Sequence, residues 1–134
     1  MNTAAPASLP PAGLPGLDPT WSRLVEATDA AGVKRTWHVL DAGPKNPTGT
    51  LLCVHGNPTW SYTFRSILAA AGEQWRVLAP DHLGMGYSER TGRTHRLADR
   101  IAELSSLTDA LQVNGPIITV AHDWGGAISL GRAR

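Results

Sequence analysis

Asp123 is the residue around which a reaction is easiest to write. It lies in Ala121-His122-Asp123-Trp124-Gly125, with a small residue two places before it and another two places after. Ahead of it, Ile117 to Val120 is a short uncharged run rich in β-branched residues, which predicts a strand buried on both faces of a parallel sheet. Behind it, Ala127-Ile128-Ser129-Leu130 resumes as a helix. Strand, small-x-acid-x-small, helix is the outline of a nucleophile elbow, a sharp turn that lifts one side chain above a sheet. The flanks must be small because backbone atoms in such a turn approach too closely to admit a Cβ. A carboxylate at that apex is ionised at neutral pH and needs no base to become a nucleophile. It suits attack on a carbon bearing a leaving group, giving an ester that water must later hydrolyse. The Trp124 backbone N–H and one from His55-Gly56-Asn57-Pro58 would line an anion hole. The Trp124 indole N–H and the Asn57 side-chain amide are further donors for a departing halide or a developing carboxylate. Plainer roles compete: Asp123 as a helix N-cap, Trp124 as a core aromatic and Asn57 as a turn residue.

The rest of the chain must hold these groups in place. Trp21–Thr28 and Val33–Asp41 have strand character, and Asp29-Ala30-Ala31-Gly32 between them signals a hairpin. Ala42–Thr48 reads as loop. Thr50–His55 is a buried strand halted at Pro58. Trp60, Phe64, Ile67, Leu68 and Ala71 share one helix face, with Gly72 as the stop. Trp75–Pro80 is another buried strand, Arg90–Arg93 a polar loop, and Leu97, Ile101, Leu104, Thr108 and Leu111 mark the next helix. Asp99, Arg100, Glu103 and Ser106 fall on that helix's far face, expected in solvent. The order is β-β-β-α-β-α-β-α: an α/β fold with a hairpin feeding parallel strands and crossover helices. Residues 1–20 carry five of the ten prolines and are expected to form a flexible Pro/Ala-rich lead to a domain over 21–134.

Composition narrows the function. Hydrophobic residues make up 42% and charged residues 17%, as in a globular protein. A net charge of +1 provides no field for nucleic acid or an anionic membrane. The first twenty residues lack the basic start and apolar core of a secretory leader. No run approaches the roughly 18 apolar residues of a membrane span. One cysteine, Cys53, makes no internal disulfide, so the cytoplasm is the expected compartment and Cys53 a buried hydrophobe. Of the histidines, His55 is expected to brace its loop, His122 to pack beside the sheet, and His38 and His95 to lie at the surface. Gly84-Met85-Gly86 opens like a dinucleotide loop, but Glu89 stands where a third glycine belongs. Arg90, Arg93, Arg96 and Arg100 form a basic patch without interleaved aromatics, a solvated face and not a nucleic-acid site.

Three stretches together carry a resemblance: His55-Gly56-Asn57-Pro58-Thr59-Trp60-Ser61-Tyr62, Ala79-Pro80-Asp81-His82-Leu83-Gly84-Met85-Gly86-Tyr87-Ser88, and Ala121-His122-Asp123-Trp124-Gly125-Gly126. They resemble the successive signatures of the α/β-hydrolase fold, and within it the haloalkane dehalogenase group with its relatives, the β-lactone decarboxylases of bacterial olefin synthesis. The resemblance covers about residues 21–131. It implies Asp123 as nucleophile, Asn57 and Trp124 as the halide or oxyanion grip, His55 and Gly56 as loop support, and Asp81 as a structural loop residue. It implies no metal, no organic cofactor and a small apolar organic substrate. His82 departs from the commonest dehalogenase pattern and leans toward the lactone decarboxylases, some of which are fused to, or neighbour, an acyl-activating enzyme. Epoxide hydrolysis also employs an elbow aspartate.

The same resemblance implies further strands, a helical cap, a second acid and a water-activating histidine after the elbow, in the order nucleophile, acid, histidine. The chain accordingly reads as the N-terminal part of such a hydrolase, expected to be inactive alone. The rival from another class is a non-catalytic remnant.

Overall fold

A computed structural model describes residues 3–133. Five strands form one sheet: β1 (Ser22–Thr28), β2 (Lys34–Ala42), β3 (Gly49–Val54), β4 (Trp75–Pro80) and β5 (Ile117–Ala121). Three helices follow the last three strands: α1 (Arg65–Ala70), α2 (Leu97–Ala110) and α3 (Trp124–Arg132). The spatial order is β1-β2-β4-β3-β5. β1–β2 and β2–β4 are antiparallel, whereas β3 pairs in parallel with β4 on one side and β5 on the other. This is the α/β arrangement expected: a hairpin added to the edge of a parallel βαβ core.

Alternation along the strands divides the core between two faces. Trp37, Val39, Leu52, Val54 and Leu78 point one way and pack with Leu104, Leu107 and Leu111 of α2 and its cap and Ile128 of α3. Leu40, Cys53, Val77 and Ala79 point the other way, under Phe64 and Leu68. Burial pushes the Cys53 thiol up to about 12, so it stays an inert hydrophobe. The hairpin turn is pinned by Asp29, whose Oδ1 accepts from Ala31 N and Val33 N at 2.9 Å and whose Oδ2 accepts from Arg35 Nε at 2.9 Å.

Several expectations need correction. The Pro-rich lead makes isolated contacts: Ala5 exchanges backbone bonds with Arg90 at 2.9 and 2.8 Å, Ser8 N donates to Tyr87 O at 3.0 Å, and Tyr62 Oη donates to Pro15 O. Proline bars a helix or a long ladder but leaves intervening N–H groups free for isolated bridges. Trp60 is not on the helix. It is extended (φ −152°) before a 3-10 turn at Ser61–Phe64, and stacks on Tyr62 at 5.2 Å. The far face of α2 is covered too. Ser106 Oγ meets Thr28 Oγ1 at 2.8 Å, and Glu103 is 2% exposed, because the β1–β2 turn and the 91–96 loop fold across it. β5 is not buried on both faces. It is an edge strand among the described residues, with Ile118 51% exposed.

Candidate active site

The C-terminal ends of β3, β4 and β5 lie side by side, and the loops that leave them converge. Parallel pairing brings Val54 opposite Ala121, so His55-Gly56-Asn57 and His122-Asp123 emerge together. Open α/β sheets place their ligand crevice outside this end of the strands.

Asp123 has φ 56° and ψ −129°, a conformation that costs an ordinary L-residue strain energy. The turn is locked on either side by His122 N donating to Val54 O at 3.2 Å and Gly125 N donating to His122 O at 3.0 Å. A Cβ at Gly125 would run into the Val54 carbonyl oxygen, so glycine at this flank is a steric requirement. Gly56 meets the same limit from the other loop, since a Cβ there would stand 2.7 Å from Asp123 Oδ2. The Asp123 carboxylate is turned toward the β3 loop.

The Asp123 carboxyl is held below the ordinary carboxylate range by a backbone bond from Trp124 and then one from Asn57. Asn57 N donates to Oδ2 at 3.2 Å. The two N–H groups expected to line an anion hole thus face the carboxylate itself. The rings behave differently: the Trp124 indole is 54% exposed and, with Gly56 and Asn57, lines a cavity of about 260 Å³. His82, Met85, His95, Leu97, Arg100 and Ile128 complete most of its wall.

His55 and His82 interlock behind the site. His55 Nε2 accepts from His82 N at 3.0 Å, so its Nδ1 carries the proton and donates to Gly56 O at 2.7 Å. His82 Nε2 donates to His55 O at 2.9 Å. Burial, then the neighbouring His55, pushes His82 down to about 3, and burial lowers His55 as well. Both rings are neutral braces at physiological pH. His122, expected beside the sheet, is instead exposed, because β5 has an open side.

Two histidines expected at the surface lie inside. His38 is fully buried, with Nδ1 2.7 Å from Asp81 Oδ2 and Nε2 3.0 Å from Ser22 Oγ. Asp81 also accepts from Ser61 N at 2.7 Å and Tyr87 N at 2.8 Å, tying the β3 and β4 loops together. Burial works against its charge, yet the His38 bond and the two amides hold the carboxyl below its usual range. His95 bonds Glu103 Oε2 at 2.9 Å and Thr91 Oγ1 at 2.7 Å, a pairing across eight residues that helix periodicity does not reveal.

The sequence family described as alpha/beta hydrolase fold matches residues 49–131, well over half of the chain. The chain belongs to the α/β-hydrolase fold family. Over 99 residues this α/β-hydrolase chain is 37% identical to a cis-3-alkyl-4-alkyloxetan-2-one decarboxylase of Shewanella oneidensis, covering 72% of the chain and 30% of the relative. Over 94 residues it is 38% identical to haloalkane dehalogenase 2 of Mycobacterium tuberculosis, covering 69% and 32%. Among solved structures, the haloalkane dehalogenase DpaA of Paraglaciecola agarilytica NO2 aligns with a TM-score of 0.77 and 28% identity, over 96% of this chain and 43% of that one. The epoxide hydrolase VrEH1 of Vigna radiata aligns with a TM-score of 0.69 and 25% identity, over 84% and 35%. The chain spans about a third of the length of the curated relatives it matches. No helix among the described residues is long and apolar enough to cross a membrane.

Proposed function

We propose that Asp123 is the nucleophile of a haloalkane dehalogenase-like hydrolase that acts on a small apolar substrate in the cytoplasm. The observation that carries this reading is the strained elbow, whose ionised carboxylate is held by Asn57 N beside a cavity lined by Asn57 and Trp124. One Asp123 oxygen attacks the carbon bearing the halogen. The carbon–halogen bond breaks with its electron pair, and the halide is received by the Trp124 indole and the Asn57 amide as the alkyl aspartyl ester forms.

Hydrolysis of that ester needs a base for water. Of the described imidazoles, His38, His55, His82 and His95 are bonded elsewhere, and His122 is exposed with no hydrogen bond to Asp123. The isolated chain therefore stops at the ester with a haloalkane. No metal or organic cofactor is required for the displacement, and among the described residues no cluster suits a metal ion.

A second reading is favoured by the relatives named for an oxetan-2-one and by the cationic wall of the cavity. There Asp123 attacks the ring carbon bonded to oxygen, and the C–O bond opens to a free carboxylate. Loss of CO2 then sends the C–C electron pair into a new C=C bond and expels the Asp123 carboxylate, with no water consumed. Such an enzyme would draw its lactone from an acyl-activating partner. Epoxide opening by the same carboxylate is a third reading, supported by the likeness to an epoxide hydrolase structure.

The test exposes the purified chain to 1-bromohexane and, separately, to a cis-3,4-dialkyl oxetan-2-one. The expected results are one hexyl group on the Asp123 peptide by mass spectrometry, none in Asp123→Asn, and bromide release limited to a single turnover. Sustained bromide release would overturn the stalled-ester reading, and an unmodified Asp123 would overturn the nucleophile. Alkene from the lactone, with only stoichiometric bromide from the haloalkane, would select the second reading.

A further inference from the structure

The cavity beside Asp123 has one wall that displacement of a halide does not explain. Arg100 lies on α2, half-buried, and its Nη1 donates to the Leu83 carbonyl oxygen. Among the described residues no carboxylate is bonded to it. The nearest acids are committed: Glu103 holds His95 Nδ1 at 2.9 Å and Ala30 N at 3.2 Å, and Asp99 holds Arg96 N at 2.9 Å. His82 and His55, which also feel the Arg100 charge, are neutral. Burial disfavours the guanidinium charge. The Glu103 and Asp99 carboxylates favour the charge through space without bonding it, which leaves a partly desolvated guanidinium on a cavity wall able to take a directly bonded anion.

Met85, Leu97 and Ile128 provide the apolar surface beside this cation, and Asn57 and Trp124 complete the nucleophile's side. A ligand that fits both is a carboxylate on a short alkyl chain. We propose that Arg100 is the seat for a carboxylate that stays attached to the substrate's carbon skeleton, so that the cavity is built for a leaving group which remains tethered. This rests on the Asp123 reading and deepens its lactone form, because ring opening converts a neutral ester into such a tethered carboxylate. As the C–O bond lengthens, negative charge grows on the ring carboxyl oxygens, and the guanidinium stabilises it there. Arg100 is then a specificity-determining residue, distinct from the halide donors Asn57 and Trp124.

The test titrates the purified chain with sodium hexanoate and with sodium bromide at constant ionic strength, reading tryptophan fluorescence. Hexanoate is expected to saturate the wild-type chain. Arg100→Gln should weaken it about tenfold or more, the loss expected of a charge-assisted pair, while Arg100→Lys keeps part of the affinity and bromide binding falls by less than hexanoate binding. Hexanoate affinity that is equal in wild-type and Arg100→Gln, or absent from the wild type, overturns the proposal. Should Arg100→Gln fail to fold by circular dichroism, the wild type decides: hexanoate must protect Arg100 from phenylglyoxal by peptide mapping, and no protection overturns it. The Asp123 adduct assay is read separately. An adduct without hexanoate binding removes this subsite alone, and hexanoate binding without an adduct removes the nucleophile alone.

Discussion

Asp123 trades backbone comfort for placement. Its φ of 56° belongs to a region that glycine enters freely and other residues enter at a cost of roughly 1–3 kcal/mol. The strain is separable from the carboxylate by comparing two variants that both lack it. Asp123→Gly should unfold in urea at higher concentration than Asp123→Ala, by about 1 kcal/mol, and neither should take up an alkyl group. Equal stability of the two would mean that the elbow is not strained. The type of residue and its flanks were legible in the chain. The price of Gly125 was not, because the carbonyl it avoids belongs to Val54, some seventy residues earlier.

At the scale of elements, the ends of β3 and β4 are joined by His55 and His82, whose rings lie 4.1 Å apart between centroids. Histidine in an unfolded chain has its pKa near 6.5, whereas His82 in the fold is pushed down to about 3 and His55 is lowered too. Between those limits the unfolded chain binds protons that the folded one refuses. Stability is therefore complete above about pH 6.5 and declines as the pH falls toward 3. Thermal midpoints measured from pH 7.5 to pH 4 should fall steadily below pH 6.5, and His82→Gln should flatten part of that slope. A midpoint identical at pH 7 and pH 5 would contradict the assignment. The strands, their succession along the chain, the two crossover helices and the helix after the elbow followed from periodicity and from turn residues. The pairing of these two rings did not, since nothing local says that residues 55 and 82 meet.

For the whole molecule, the weak point is the open side of β5. Ile118 is 51% exposed there, and Trp124 (54%) and Leu130 (73%) add apolar surface on α3. An uncovered strand edge with an apolar face invites pairing with another chain. The purified protein should elute progressively earlier on gel filtration as its concentration rises, and Ile118→Lys should suppress this without changing the far-UV circular dichroism. A monomer at every concentration would show that the edge is protected by other means.

Local chemistry, carried by adjacent residues, is what the amino-acid order decided unaided: an acid between small flanks, a strand before it and a helix after it. Family membership followed from three such stretches read together. The tertiary structure alone decided which polar groups are buried and with whom. His38 with Asp81, His95 with Glu103, and Arg100 with a carbonyl in place of an acid are each set by contacts between segments far apart in the chain. Periodicity reports which face of an element is apolar, but not which loop will fold over the face that is polar.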